Sequence, residues 1–406
     1  MEKTGKELID AMSSGPVRKY LIDNENQDVR QVILKHKELL GIPTSQLFEQ
    51  IAARRKAKDK LPLYYHTDGV IYPPQHNLEQ SSSQLTASFK SDIAASVLKA
   101  RPVIADLTGG FGVDTYFFST NAASVHYVET DESLAQLAQH SHRLLGATNI
   151  EYHHQKAEDF LATFGASLDL IYVDPSRKSE QKKKIVLLQE SFPDIVSLAS
   201  KVFAKSTWLL VKASPLLDIQ AGMAELPHIR KVFVVSVKNE CKEVLLLCEK
   251  DFAGVPVIEA VNLQSAANVE TFQFTFPEER ASEVVLSEPL KYLYEPNASI
   301  LKAGAFKSIA SRFLLKKLHP NTHLYTSDTL VDKFPGRKFA IEDFVKPDRA
   351  LLRKFFADGK ANVTTRNYPL SAEALKKKSG LMDGGDKFLI GFSGRRKKYL
   401  VVARRL

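Results

Sequence analysis

Residues 101–131, RPVIADLTGGFGVDTYFFSTNAASVHYVETD, decide the fold. The stretch opens with a short apolar run, 102–107, of the length of a buried strand. The run ends in Asp106 and passes into Gly109, Gly110 and Gly112. A helix-like segment follows at 113–119, and a second apolar run, 125–128, delivers Glu129. The glycines let backbone come close to a ligand, and the helix start offers free N–H groups to a negative group. An acid at the tip of a second strand can accept both hydroxyls of a ribose. The unit predicts a nucleotide-type site; the plainer alternative is a βαβ turn that needs glycine.

The alternation of strand and helix continues downstream. Residues 131–145 form an amphipathic helix stopped by Gly146, and 150–153 a third strand. A short helix at 157–164 and an apolar strand at 168–173 follow, the latter ending in Asp174-Pro175-Ser176-Arg177-Lys178. Helix 191–204, strand 208–211 and helix 215–224 come next. Two strands, 231–237 and 244–248, are then joined by a short turn. Upstream, residues 1–60 read as helices, including 28–39 and one starting at Ser45, with a basic end at Arg54, Arg55, Lys56 and Lys58. Residues 61–80, with Pro62, Pro73 and Pro74, read as irregular. A helix within LTASFKSDIAASVLK, 85–99, capped by Thr86 or a nearby Ser, presents Phe89, Ile93, Ala94 and Val97 as one buried stripe.

Two ligand classes compete for the loop. A dinucleotide site wants G-x-G-x-x-G/A, and here position 115 is Thr. The spacing Asp106-x-x-x-Gly110-x-Gly112 instead resembles motif I of class I S-adenosylmethionine (SAM) methyltransferases. That resemblance implies an α/β fold with a Rossmann-like sheet whose last strand inserts antiparallel, as the terminal strand pair suggests. It implies that Asp106, Thr108, Gly109, Gly110 and Gly112 hold the methionine part of SAM and that Glu129 holds the ribose. Gln80, Thr86 and Lys90, on and before the preceding helix, would meet the methionine carboxylate. In the family an acid beside the third strand contacts adenine; here Lys156 stands at that position, and Ala157 and the shifted Glu158 are the candidates.

Composition is that of an ordinary globular chain of 406 residues, 44% apolar and 25% charged, long enough for two or three domains. No leader-like start and no long uncharged apolar run is evident, which predicts a cytoplasmic protein without a membrane span. Cys241 and Cys248 support neither a disulfide framework nor a metal site, and no His/Cys cluster at metal spacing appears. Charge is uneven. Residues 301–406 hold 24 Lys and Arg against 9 Asp and Glu, a net of +15 in a chain whose total is +9. An anionic partner there, with nucleic acid the usual one, is the expectation.

The resemblance widens when QSSSQLTASFK, DLTGGFG, VDPSRK, YLYEPNASI and the RNYP and GGD stretches are taken together. These are similar to bacterial methyltransferases that end in a THUMP-like domain. The likeness implies a helical N-terminal region (1–84), a methyltransferase domain (85–283), a small α+β insert or linker (284–323, with a helix at 305–317) and a basic THUMP-like domain (324–406). It implies an RNA substrate; the residues themselves predict no metal. Arg395, Arg396, Lys397 and Lys398, at the turn of a final hairpin, and Lys178 are the expected RNA contacts. Tyr368 and Tyr399 are candidates for base stacking and equally for packing.

Related amino-methylating enzymes carry Asn/Asp-Pro-Pro-aromatic after the fourth strand. Asp174 and Pro175 would take that role here, holding an exocyclic amine. Ser176 and Arg177 depart from the pattern, since no aromatic follows to stack a base; Arg177 would grip a phosphate or stack by its planar face. Lys182 to Lys184 would extend that contact. Covalent pyrimidine C5 chemistry needs a Cys nucleophile, and neither Cys follows the motif. Direct transfer to nitrogen or oxygen, nitrogen preferred, is therefore expected. The alternatives are methylation of a small molecule or protein, or a non-catalytic SAM- and RNA-binding protein.

Overall fold

The structure is a computed structural model that describes residues 5–27, 37–177 and 188–406, the side chain of Arg177 excepted. The expected helix over 28–39 falls almost wholly outside the described residues. The chain divides into two compact units: residues 1–230 with 244–254, and residues 231–243 with 255–406.

In the first unit, helices α1 (Gly5–Met12) and α2 (Gly15–Asp23) lead to a ribbon of β1 (Glu38–Leu39) and β2 (Ile42–Pro43). Helix α3 (Thr44–Lys60) follows, then α4 (Pro62–His66), α5 (Gln75–Gln80) and α6 (Gln84–Val97). The prolines expected to keep 61–80 irregular start helices instead: Pro62 opens α4, and Pro74 is the N-cap of α5. A first-turn proline gives up an N–H that has no helical partner anyway. The basic end of α3 is held by intramolecular acids, Arg54 by Glu25 at 2.9 Å and Lys56 by Glu79 at 2.6 Å. Met12, Leu47, Tyr64 and Tyr72 share one buried cluster with Phe111 of the Gly-rich turn. The helical region is thereby packed against the loop it precedes.

The alternating part comprises β3 (Val103–Asp106), α7 (Val113–Ser119), β4 (Ser124–Glu129), α8 (Glu132–Leu144), β5 (Ile150–His154), α9 (Ala157–Thr163) and β6 (Leu168–Val173). A two-strand ribbon, β7 (Ser176–Arg177) with β8 (Ser191–Phe192), precedes α10 (Ile195–Lys205), β9 (Ser206–Ala213) and α11 (Ile219–Glu225). Then come β10 (Ile229–Val237) and β11 (Glu240–Glu249). Within this unit the strands lie in the order β11-β9-β6-β3-β4-β5. All are parallel except β11, whose residues 244–249 run antiparallel to β9. Five of the six β6 residues are buried, as expected for a parallel strand covered on both faces. Asp106 is in register with Tyr127 of β4 and Tyr172 of β6, so the carboxyl ends of the three strands come level. Helices α10 and α11 start later than their apolar patterns suggest. Asp194 caps the first through Ser197 N (3.2 Å) and Asp218 the second through Ala221 N (3.0 Å).

The second unit begins with the 231–237 part of β10, parallel to β12 (Val257–Ser265), which pairs antiparallel with β13 (Asn268–Phe274). After β10 the chain reverses at Lys238 and Asn239, both at positive φ (48° and 67°), the conformation of a tight primed turn. Helix α12 (Phe276–Ala281) follows, then β14 (Tyr292–Pro296), α13 (Ala298–Ala303), α14 (Ser308–Arg312), β15 (Lys316–His319) and β16 (Thr322–Ser327). Strand β17 (Gly336–Phe344), α15 (Arg349–Arg353), β18 (Asn362–Arg366), α16 (Ala372–Ser379), β19 (Lys387–Ser393) and β20 (Lys398–Arg405) complete it. Seven strands form one sheet in the order β15-β16-β14-β17-β20-β19-β18. The helix expected at 305–317 is a second misreading. Gly304 turns left-handed (φ 81°) and ends α13, α14 spans only five residues, and Lys316–His319 pairs with β16. Sheet pairing there overrides an apolar pattern that suits a helix.

Two of the distinctive C-terminal stretches meet at one carboxylate. Glu295 of YLYEPNASI, 4% exposed, is bonded by Arg337 (Nε at 2.7 Å) and by Arg366 of the RNYP stretch. Gly336, before Arg337, has no room for a side chain, since a Cβ would lie 2.2 Å from Glu295 O. Those motifs build the fold of this unit. Among the described residues no helix is long and apolar enough to cross a membrane.

Candidate active site

Short parallel strands ending level leave the βα turns to form a cavity at their carboxyl ends, where open α/β sheets place ligands. The cavity measures about 310 Å³. The turn after β3 forms its floor, and Glu129, Ala157, Glu158 and Asp174 stand around it.

The turn is braced by hydrogen bonds to its backbone. Thr108 N donates to Asp106 Oδ1 at 3.0 Å, and Thr115 Oγ1 donates to Oδ2 at 2.6 Å. Gly110 N donates to Glu129 Oε2 at 2.9 Å, while Tyr127 OH donates to Gly110 O at 2.6 Å. His142 Nε2 lies 2.8 Å from Gly112 O, and Nδ1 lies 2.8 Å from Tyr152 OH. Burial pushes His142 down to about 4, so its ring is neutral at pH 7. A carbonyl only accepts, so Nε2 carries the proton and Nδ1 accepts from Tyr152. Gly109 and Gly112 are required on space: a Cβ at 109 would lie 2.2 Å from the Tyr127 ring, and one at 112 would lie 2.5 Å from the His142 ring. Asp106, 1% exposed, does not line the cavity; burial pushes its carboxyl up to about 7 against the bonds from Thr115 and Thr108. It holds the loop.

Beneath the loop lies a buried polar network. Lys90, fully buried, donates to Asp114 Oδ1 at 2.9 Å and to Ser82 Oγ at 2.8 Å. Ser82 and Tyr172 hydroxyls donate to Asp114 Oδ2 at 2.7 and 2.9 Å. Burial alone would raise Asp114; the Lys90 and Lys212 ammonium groups and the hydrogen bonds overcome it, leaving the carboxyl below its usual range. Lys90 thus ties α6 to α7, and Thr86 completes the capping box of α6 with Ser83. Neither lines the cavity, whereas Gln80 does, together with Asn77 and Ser82, which the sequence does not single out.

At the end of β6, Asp174 N donates to Thr108 Oγ1 at 2.6 Å, joining the two motifs. Its Oδ2 pairs with Lys212 Nζ of β9 at 2.5 Å. Lys212 is the residue that sequence reasoning misses. It sits one position past the Val173–Val211 register pair, so only strand order brings it to Asp174. Asp174 Oδ1 has no hydrogen-bond partner among the described residues and is left as an acceptor. Burial pushes the Cys241 thiol up to about 11 and the Cys248 thiol higher, and neither lines the cavity.

Other candidates fall elsewhere. Pro175 is half-buried in the turn before β7, and Arg177 contributes backbone to the β7–β8 ribbon. Lys178 and Lys182 to Lys184 lie outside the described residues. In the second unit Arg395, Arg396, Lys397 and Lys398 are all exposed at the β19–β20 turn. Tyr399 is buried, stacked on Phe392 and bonded to Glu288, and Tyr368 packs over Gly391, so both are packing residues. Among the described residues one group could share a cation. His126, Glu151 and His153 have ligand atoms within 4.8 Å of one another. The group comes from neighbouring strands, β4 and β5, which no local spacing reveals. Its members contact one another, with His126 Nδ1 3.1 Å from His153 Nε2 and 3.4 Å from Glu151 Oε2.

A six-stranded arrangement with one antiparallel member, a glycine cradle and an acid after the second parallel strand define a class I methyltransferase. The comparisons extend this to the whole chain. A candidate methyltransferase from Porphyromonas gingivalis W83 aligns over 100% of both chains at 30% identity and a TM-score of 0.85. A family model for a ferredoxin-like domain matches residues 292–335, and one for a THUMP-like domain matches residues 336–405. The chain belongs to this family of class I methyltransferases with a C-terminal THUMP-like domain. Two further structures cover 40% of the chain at a TM-score of 0.30. One is a candidate methyltransferase from Streptococcus mutans in complex with SAH, 12% identical, with 95% of that chain covered. The other is an rRNA methylase from Streptococcus thermophilus, 16% identical, with 94% of that chain covered. Likenesses of that depth carry no functional inference. No curated protein matches.

Proposed function

We propose that this methyltransferase uses SAM and modifies RNA, at a base nitrogen, by direct transfer. The observation that carries the proposal is one cavity lined by the glycine cradle, Glu129 and Asp174, with Lys212 paired to Asp174. The residues present fit the cofactor: Thr108, Gly109, Gly110 and Gly112 line the cavity, and Glu129 stands beside them at the tip of β4. Thr108, Gly109, Gly110 and Gly112 would hold its amino-acid end, Glu129 its ribose, and Ala157 with Glu158 its adenine.

Bound there, SAM supplies an electrophilic methyl group. The chain's own task is to present a nucleophile in line and to take up a proton, so positioning supplies most of the rate. Lys212 and Thr108 fix the Asp174 carboxylate and backbone. Oδ1 then accepts an N–H from an exocyclic amine, turns its nitrogen toward the donor, and receives the proton released on transfer. A raised thiol pKa at both cysteines argues against a covalent thiolate route. The net charge of +15 on residues 301–406 and the exposed 395–398 turn support RNA as the substrate class. Arg177 and Lys178 follow Asp174 in sequence as candidate phosphate contacts.

The test is to incubate the enzyme with methyl-labelled SAM and bacterial total RNA, digest to nucleosides and identify the product by mass spectrometry. An N-methylated base is expected. Label on carbon or ribose would overturn the nitrogen assignment, and label on protein or small molecules alone would overturn RNA.

A further inference from the structure

The sequence lacks an aromatic directly after Asp174-Pro175, and the fold supplies one from elsewhere. Strand β8 lays Phe192 beside β7, with Phe192 and Ser176 as register partners. Ser176 is two residues past Asp174, and Asp174, Ser176 and Phe192 all line the same cavity. Phe192 is 48% exposed, a large apolar side chain left in water at the edge of a polar site. A single exposed aromatic on an open surface needs no explanation; one on the wall of a ligand cavity does.

The ring's outward placement is enforced. Ser191, its neighbour in β8, is buried while Phe192 is exposed, the alternation of a two-residue strand. Ser191 Oγ donates to Leu188 O at 2.5 Å and lies 3.1 Å from Pro193 O. The backbone N–H groups of Leu188 and Gln189 donate to the Glu225 carboxylate at 3.2 and 3.0 Å. Ile195, just beyond, is fully buried, and Asp194 caps α10. The segment on both sides is therefore held, and Phe192 keeps its place on the cavity wall.

We propose that Phe192 is the platform on which the target nucleobase stacks while Asp174 holds its amine. This rests on the reading of a base-methylating enzyme given above. A flat apolar ring beside a carboxylate acceptor matches a planar heterocycle carrying an amine, and base stacking is tolerant of base identity because every base has a π-face. Phe192 is a substrate-positioning residue; the reacting atoms are served by Asp174.

The test compares Phe192→Ala, Phe192→Leu and Phe192→Trp in methyl transfer to total RNA, with SAM affinity measured by calorimetry on each. Loss of a stacked base costs on the order of tenfold to a hundredfold. The alanine and leucine variants should lose about that much in kcat/KM for RNA, chiefly through KM. The tryptophan variant should retain activity, and SAM affinity should stay within about twofold of wild type throughout. Equal activity in all variants would overturn the proposal. So would retention by Phe192→Leu, which would make the ring a mere apolar filler, or a parallel loss of SAM affinity. If the wild type labels no RNA, the reading beneath fails and takes the proposal with it; if it labels RNA and Phe192→Ala does so equally, only the stacking role falls.

Discussion

The glycine cradle after β3 and the basic turn between β19 and β20 are both short connections, and they reach their functional form in opposite ways. In the cradle, backbone positions matter more than side chains, and buried groups fix them: Asp106, Tyr127 and His142 each bond a loop atom directly. In the basic turn only the base is fixed, by Gly394 N on Lys397 O at 2.9 Å and by Tyr399, whose ring centre lies 5.1 Å from the Lys397 ammonium; all four basic residues are exposed. The first connection is a shape and the second is a field. A shape fails when one brace is removed, whereas a field weakens in steps and yields to salt.

The largest expected effect lies under the cradle. Lys90→Ala leaves Asp114 buried without its closest cation, and breaking such a pair costs about 3–5 kcal/mol. Urea unfolding should show a loss of that size. A loss below about 1 kcal/mol would mean that Lys90 is not structural and would restore the expectation that it binds the methionine carboxylate.

A second brace should show as a pH dependence. His142 titrates near 6.5 when unfolded and near 4 when folded. The unfolded chain thus binds the extra proton first, and the stability this site holds above pH 6.5 drains away as pH falls toward 4. The full span is worth about 3 kcal/mol at about 1.4 kcal/mol per pH unit. His142→Phe should flatten the unfolding curve between pH 7 and 4.5; an unchanged pH dependence would remove His142 from the account of the cradle.

What could be read in advance divides along the same line. The βα order, Gly109, Gly112 and Glu129 were legible because strands, tight turns and terminal acids leave local patterns. Lys212 and Phe192 were not, because strand order and a two-residue ribbon bring them to Asp174 from positions 38 and 18 residues away. Lys90 has the right helix but a partner no spacing could reveal. The false helix at 305–317 has an equivalent cause, since Lys316–His319 is claimed by a strand partner.

Smaller effects separate the two connections functionally. Glu129→Ala should weaken SAM binding by about 1–3 kcal/mol in calorimetry, since it removes the ribose acceptor and the partner of Gly110 N. Unaltered affinity would place the ribose elsewhere. Neutralising Arg395, Arg396, Lys397 and Lys398 together should lower RNA affinity across sequences. It should also reduce the slope of log affinity against log salt, by roughly 0.7 for each single-strand phosphate that the turn no longer neutralises. SAM affinity should not change. An unaltered salt slope would mean that the +15 charge of residues 301–406 binds RNA at another face, or not at all.

The most direct measurement is single-turnover transfer of labelled methyl from SAM to RNA by the wild type and by Asp174→Ala, with SAM affinity determined for both. The account predicts labelled RNA with the wild type and at least a hundredfold slower transfer by Asp174→Ala, a size in the range of general acid–base contributions, with SAM binding retained. Transfer at the wild-type rate without the Asp174 carboxylate would contradict it.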